Sequence, residues 1–371
     1  MKKNLQVKIV TCHDVYNFGA SLQAFALQTY LERMGHEVCI IDYKPPYQIP
    51  RRQRLFPLDR SVNVLALMKM IYHLPRRISH IGRNRKFREF TDKYLHLTDE
   101  YNTKEQVYSA HLDADVFICG SDQIWNSMYP TGWDSVFYLD FVTNGARKVA
   151  YAPSISITQM QEWQINVYKR YLPSFDFVSI REKSSIPFLN EIGRNDVEYV
   201  CDPVMLFPPS VWDNLLPCPR LVKEPYLLLY DFDGSKENAS IAKEISKAEG
   251  LRIINISIDT LSGVGTKIKD IGPIEFVSFI RHASFVVSSS FHGTIFSLLY
   301  HKRFCVVRRQ LEINLRMQDL LDTYNLTDRF VSAYTPSLLH DIDYQQVDNK
   351  MNEIIGRSKD YLARALHFEN A

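Results

Sequence analysis

The pattern that most constrains this chain is a repeated alternation of short apolar runs with helical segments, met first near its beginning. QVKIV and VCIIDY are β-branched, apolar and of strand length. Between them Ala20, Ala24, Leu27, Leu31 and Met34 recur at three- and four-residue steps, and Gly35 follows where a left-handed helix end is wanted. The order strand, polar turn, helix, strand makes the two strands parallel, since the helix carries the chain back to its starting end. The turn after the first strand carries His13, Asp14, Asn17 and Gly19. It lies at the carboxyl edge of the sheet, where open α/β folds bind ligands.

The same unit recurs along the chain. DADVFICGSDQIWN, RKVAYAPSIS and FDFVSIREKSS each end an apolar strand in a polar turn, and VEYVCDP closes the series. Prolines then cluster in CDPVMLFPPSVWDNLLPCPR, the mark of a connection. A second series begins at PYLLLYDFDG and runs through a helix at ENASIAKEISKAEG, a strand at LRIINIS, a helix at EFVSFIRHA and a strand at FVVSSS. It ends in a helix from about Phe291 to Lys302 and a strand at FCVVR. The expected class is α/β with two Rossmann-like lobes, which a chain of 371 residues is long enough to build. The boundaries expected are an N-terminal lobe at 1–204 with a basic helical excursion at 51–96, and a connection at 205–222. A C-terminal lobe at 223–340 and a final helix at 341–371, packing back on a lobe, complete the reading.

Lys plus Arg number 44 against 42 Asp plus Glu, so the net +2 gives no general case for nucleic acid as a partner. Residues 51–88 are the exception, with eleven basic side chains and one acid around the apolar stretch VNVLALMKMIYHL. That segment reads either as a peripheral contact with anionic membrane or as a solvated excursion or oligomer contact. The six cysteines are scattered, with no CxxC pair and no HExxH, so reduced core thiols are expected and no metal site. Neither a signal-peptide pattern nor a spanning apolar stretch of about 18 residues occurs, and a cytoplasmic location is expected.

Chemistry concentrates in FVVSSSFHGTIFSLLYHKRFCVV. Ser289, Ser290, Phe291, His292 and Gly293 join a buried strand to a helix start, where backbone N–H groups and the positive helix end converge on an anion-sized space. The plainer alternative is that the serines cap the helix. Neither GxxxxGK[ST] nor GxGxxG is present, so this is no nucleotide loop of either standard kind. Arg181 follows a strand in SIREKSS, where its planar fork suits a carboxylate or phosphate; the alternative is a salt bridge with Glu182 or another surface acid. In GSDQIWN, Asp122 and Asn126 flank Trp125, which reads as a sugar-stacking ring or as a core residue in a plain turn.

NFGASLQAFALQTYLERMGHEVCIIDY, VFICGSDQIWN, VSIREKSS, VCDPVMLF, GPIEFVSFIRHASFVVSSSFHGTIFSLLYHKRFCVV and NLRMQDLL together resemble the polysaccharide pyruvyl transferase family, over residues 8 to about 322. The resemblance implies a glycosyltransferase-B-like fold and transfer of pyruvate from phosphoenolpyruvate, as co-substrate, to two hydroxyls of a sugar or lipid-linked oligosaccharide. It places the family's donor-contacting arginine on Arg181 and its histidine on His292, with Arg316 a third candidate. His292 and Asp122 are then the expected proton-handling groups. Arg181, Arg316 and the 289–293 turn make the donor site, and His13, Asp14, Asn17, Gly19, Trp125 and Asn126 the acceptor side. No further cofactor or metal is implied. The rivals are a nucleotide-sugar glycosyltransferase of the same architecture and a non-catalytic sugar-binding protein.

Overall fold

Short apolar strands that alternate with helices bury both faces of a parallel sheet, and this chain does so twice. The computed structural model describes residues 4–48, 80–156, 160–231, 234–257, 263–309 and 314–367. Its first sheet holds β1 (Gln6–Val10), β2 (Glu37–Tyr43), β3 (Leu97–Tyr101), β4 (Val116–Cys119), β5 (Arg147–Ala150), β6 (Phe177–Ile180) and β7 (Glu198–Tyr199). They lie in the order β3-β2-β1-β4-β5-β6-β7. The second holds β8 (Tyr226–Tyr230), β9 (Arg252–Asn255), β10 (Thr266–Lys267), β11 (Phe285–Ser288), β12 (Arg303–Val307) and β13 (Phe330–Val331), in the order β10-β9-β8-β11-β12-β13. All described pairings are parallel, with Val7 between Val38 and Val116 and Val286 between Leu228 and Phe304.

In sequence, the first sheet is accompanied by α1 (Phe18–Arg33), α2 (Ile81–Tyr94), α3 (Lys104–Ser109), α4 (Glu162–Tyr171), α5 (Ile186–Glu191) and α6 (Pro209–Leu215). The second is accompanied by α7 (Lys236–Glu249), α8 (Pro273–His282), α9 (Phe291–Leu299), α10 (Asn314–Thr323) and α11 (Tyr344–Ala365). Strand order reverses between β1 and β4 in one sheet and between β8 and β11 in the other. At those points neighbouring connections diverge and leave a crevice. The turns that open α1 and α9 sit at these two crevices and meet across the lobes.

A stack of aromatic rings closes the seam. Phe18, the first residue of α1, lies 4.8 Å from Phe276 of α8, 5.7 Å from Tyr230 of β8 and 5.2 Å from Phe87 of α2. The Arg83 guanidinium covers Phe18 and Phe87 at 5.1 and 4.7 Å, and Lys86 pairs with Glu275 of α8. Of the described bases in the basic stretch, Arg83 is buried at the seam and Lys86 reaches the other lobe, while Arg85 and Arg88 are exposed, as a solvated excursion would have them. Residues 51–79, with the apolar stretch of that excursion, lie outside the described residues. The strand β3, LTDEY, is not among the strands read from the sequence; it is a sheet-edge strand with half-exposed or exposed residues, so no apolar alternation marks it.

The final helix ties back to the first sheet. Tyr361 donates to the Ala150 carbonyl at 2.8 Å, Ser358 Oγ accepts from the Cys201 N–H at 2.8 Å, and Arg147 donates to the Ala365 carbonyl at 3.0 Å. No helix among the described residues is long and apolar enough to cross a membrane.

Candidate functional site

Each lobe brings a strand-to-helix turn to the seam. On the C-terminal side Ser290 is the N-cap of α9: its Oγ accepts from the Gly293 N–H at 3.2 Å, and its own N–H donates to Ser288 Oγ at 3.0 Å. Ser289 donates to Asp231 at 3.3 Å. The serines therefore shape the turn, as the plainer alternative has it, and present Phe291 and His292 toward the first sheet.

His292 meets α1 where α1 has no side chain. A Cβ on Gly19 would lie 1.9 Å from His292 Nδ1 and 2.3 Å from its Cγ, so the imidazole occupies the space that only glycine leaves. The other ring nitrogen, Nε2, stands 3.5 Å from Asp202 Oδ2.

Asp202 is the group that sequence reasoning missed. It follows β7 in VCDP, is fully buried, and accepts from Arg181 Nη1 at 2.7 Å, from Ser121 Oγ at 3.2 Å and, through Oδ1, from the Val204 N–H at 3.1 Å. Burial opposes its ionisation, but His292 and Arg181 outweigh that and hold the carboxyl well below the usual aspartate range. The signal was an Asp placed between a strand end and a proline, which reads equally well as a local cap.

Arg181 is buried, and its guanidinium carbon lies 4.1 Å from the Phe291 ring centre, across the lobes. The salt bridge with Glu182 given as its alternative is present, but buried rather than at the surface. Glu182, 3.9 Å from Arg181 Nε, is itself buried, and Asp122 Oδ1 is 3.8 Å from Arg181 Nη2. Arg316 of α10 approaches the same Phe291 ring, at 5.6 Å. Burial first, then the charge of Arg181, pulls Arg316 down to about 10. Arg316 Nε and two of the Arg181 nitrogens are buried without a hydrogen bond. Two guanidiniums from opposite lobes thus converge on one ring with unused donors, an arrangement that suits a ligand of high negative charge.

Asp122 keeps a partly open side chain beside Arg181. Its backbone, at φ 73 and ψ −170, is in a region nearly reserved for glycine, and strain of this kind gathers at working sites. Tyr16, Ala152 and Ser156 also have positive φ in turns beyond strands of this sheet.

The acceptor side expected from sequence is largely structural. Trp125 is fully buried, donates to the Phe137 carbonyl at 3.1 Å and stacks on Tyr138, so it offers no face to a sugar. Asn126 is buried too and accepts from the Met128 N–H at 2.9 Å. His13 is locked in the turn, with Nε2 2.8 Å from Asp42 and Nδ1 3.2 Å from the Thr11 carbonyl. Asn17 caps α1 through the Gly19 and Ala20 N–H groups. Asp14 pairs with Lys44 at 3.3 Å, beside Asp42 and Glu100. The sequence reading overlooked this half-buried lysine among three carboxylates. No group of three metal-ligating side chains occurs among the described residues.

Solved structures similar to this chain share its architecture at low identity. Arabidopsis thaliana UGT89C1, complexed with UDP-L-rhamnose, superposes with a TM-score of 0.52 at 12% identity, covering 99% of this chain and 98% of that one. A putative UDP-N-acetylglucosamine 2-epimerase from Listeria monocytogenes gives 0.51 at 9% identity over 98% and 91%. The Methanocaldococcus jannaschii UDP-GlcNAc 2-epimerase gives 0.50 at 12% over 97% and 98%. These likenesses establish a glycosyltransferase-B-like fold. No curated protein matches the chain. The family model described as polysaccharide pyruvyl transferase matches residues 17–310, from the cap of α1 through the α9 turn to just past β12. That span takes in Gly19, Arg181, Asp202 and His292, and the chain belongs to the polysaccharide pyruvyl transferase family.

Proposed function

We propose that this protein transfers pyruvate from phosphoenolpyruvate to two hydroxyls of a sugar, closing a cyclic ketal in surface-polysaccharide assembly. The observation that carries the donor is the convergence of Arg181 and Arg316 on Phe291 from opposite lobes. Phosphoenolpyruvate is compact and carries both a carboxylate and a phosphate, and two planar forks with unused donors match those groups. Protonation of its methylene carbon makes C2 electrophilic; one sugar hydroxyl adds there and a second displaces phosphate. Asp122, beside Arg181 and partly open, is the proposed base for a hydroxyl. His292 faces Gly19 through Nδ1, so its part as proton donor, or as cation for the departing phosphate, falls to Nε2. Asp202 holds that nitrogen and Arg181 in one place. No step draws on a metal or a further cofactor, and the acceptor is a free or lipid-linked sugar in the cytoplasm or at the inner membrane face.

The test separates this from the nucleotide-sugar reading. Phosphoenolpyruvate should raise the melting temperature, UDP-sugars should not, and a panel of synthetic or lipid-linked sugars should yield phosphate and a product heavier by the ketal. Arg181→Lys keeps the charge but loses the fork, and should weaken donor binding by about 1 to 3 kcal/mol. Stabilisation by a UDP-sugar at concentrations where phosphoenolpyruvate does nothing would decide for the glycosyltransferase.

A further inference from the structure

One buried acid at the site has no part in that chemistry. Glu182 follows Arg181 at the end of β6 and is 1% exposed. Its Oε1 accepts from the hydroxyls of Ser154 and Ser156, the latter at 3.3 Å, while Oε2 is buried without a hydrogen-bond partner. The charged groups that act on it come from two directions: Arg181 on its own segment, and Arg316 and Asp319 on α10. Tyr168 of α4 and Tyr199 of β7 also feel its charge. Burial pushes the carboxyl upward against the opposing pull of Arg181, Ser154 and Arg316.

An ionised Glu182 in this position depends on the two guanidiniums for its compensation. A ligand bearing two or more negative charges that binds Arg181 and Arg316 takes that compensation away and leaves a buried carboxylate beside like charge, a combination that favours protonation. We propose that Glu182 makes the Arg181–Arg316 site a proton-linked polyanion site, taking up a proton as the anion binds. The inference rests on the proposed function only in placing phosphoenolpyruvate there; the linkage itself needs nothing but a polyanion.

Sulfate is the discriminating probe, because it stays doubly ionised near neutral pH and brings no proton of its own. Calorimetric titration of sulfate into the full chain, in buffers of different ionisation enthalpy, reads the protons taken up. The wild-type protein should take up close to one proton more than Glu182→Gln at pH values above the ordinary glutamate range, and there its affinity should fall by up to about tenfold per pH unit. The amide of Glu182→Gln is neutral at every pH, so this variant should bind sulfate more tightly than wild type at the alkaline end and equally at the acid end.

Equal proton uptake by the two proteins, or weaker sulfate binding by Glu182→Gln at alkaline pH, overturns the linkage. Phosphoenolpyruvate run in parallel separates the two proposals. Sulfate-linked uptake with no binding of phosphoenolpyruvate removes the donor and keeps the linkage, whereas phosphoenolpyruvate bound with equal uptake in both proteins removes the linkage and keeps the donor. If neither anion binds, both fall. Should Glu182→Gln fail to fold, Ser154→Ala with Ser156→Ala strips the ionised carboxyl of its hydrogen bonds, and uptake should then extend to higher pH. An unchanged profile would again overturn the proposal.

Discussion

Gly19 and His292 set how closely the two lobes meet. A methyl group on Gly19 would overlap the imidazole, with Nδ1 only 1.9 Å from the added carbon. The ring is hemmed on its other edge by Asp202, so relief requires the imidazole to turn away or the lobes to part. Misplacement of this order at a reacting group costs up to about 100-fold in rate. Gly19→Ala should therefore keep its circular dichroism spectrum and lose at least about tenfold in ketal formation; wild-type turnover would mean that the ring position is immaterial. Arg181, Phe291, His292 and Arg316 were legible from the motifs that carry the resemblance. Asp202 and Glu182 were not, because a carboxylate's role depends on which cations the fold brings to it, and those cations come from other strands and the other lobe. Trp125 and His13 misled for the converse reason: polar-capable groups in an edge turn look exposed until neighbouring segments cover them.

At the scale of elements, α1 shows what periodicity captures and what it leaves out. Its apolar positions at three- and four-residue steps announced a helix, and the helix ends at Arg33, with Gly35 at φ 95 just beyond. The same steps imply one buried face. In the structure 13 of its 16 residues are buried, Gln23 and Gln28 among them, because α1 packs on its own sheet and on the other lobe at once. Gln23 donates to Thr11 Oγ1 at 2.9 Å, and Gln28 accepts from the His96 N–H at 2.8 Å, so the buried amides anchor the segments around the helix. Phe18 is where the demand is greatest, between Phe87, Tyr230 and Phe276. Phe18→Ala should cost about 3 to 5 kcal/mol in urea unfolding. A cost below about 1 kcal/mol, within the range of an exposed position, would show that the seam does not hold the lobes together.

Over the whole molecule the charge is nearly balanced, yet residues 51–88 carry eleven basic side chains and a single acid, Asp59. The structure describes only the last four of those bases, Arg83, Arg85, Lys86 and Arg88. Arg83 and Lys86 are committed to the seam, so replacing them would test lobe packing rather than surface attraction. The remaining bases, Arg51, Arg52, Arg54, Arg76 and Arg77 among them, flank the apolar run VNVLALMKMIYHL, the composition of a segment that rests on an anionic surface. Near such a leaflet each basic residue contributes about 1 kcal/mol, and salt screens the attraction over about 10 Å at 0.1 M, so binding should be reversible and salt-sensitive. The protein should sediment with anionic vesicles at low salt, remain free of neutral ones, and leave the anionic ones as salt rises. Replacing those five arginines with Gln should abolish sedimentation while preserving phosphate release with a soluble acceptor. Wild-type protein that ignores anionic vesicles at low salt would assign the excess charge to a solvated excursion or an oligomer contact.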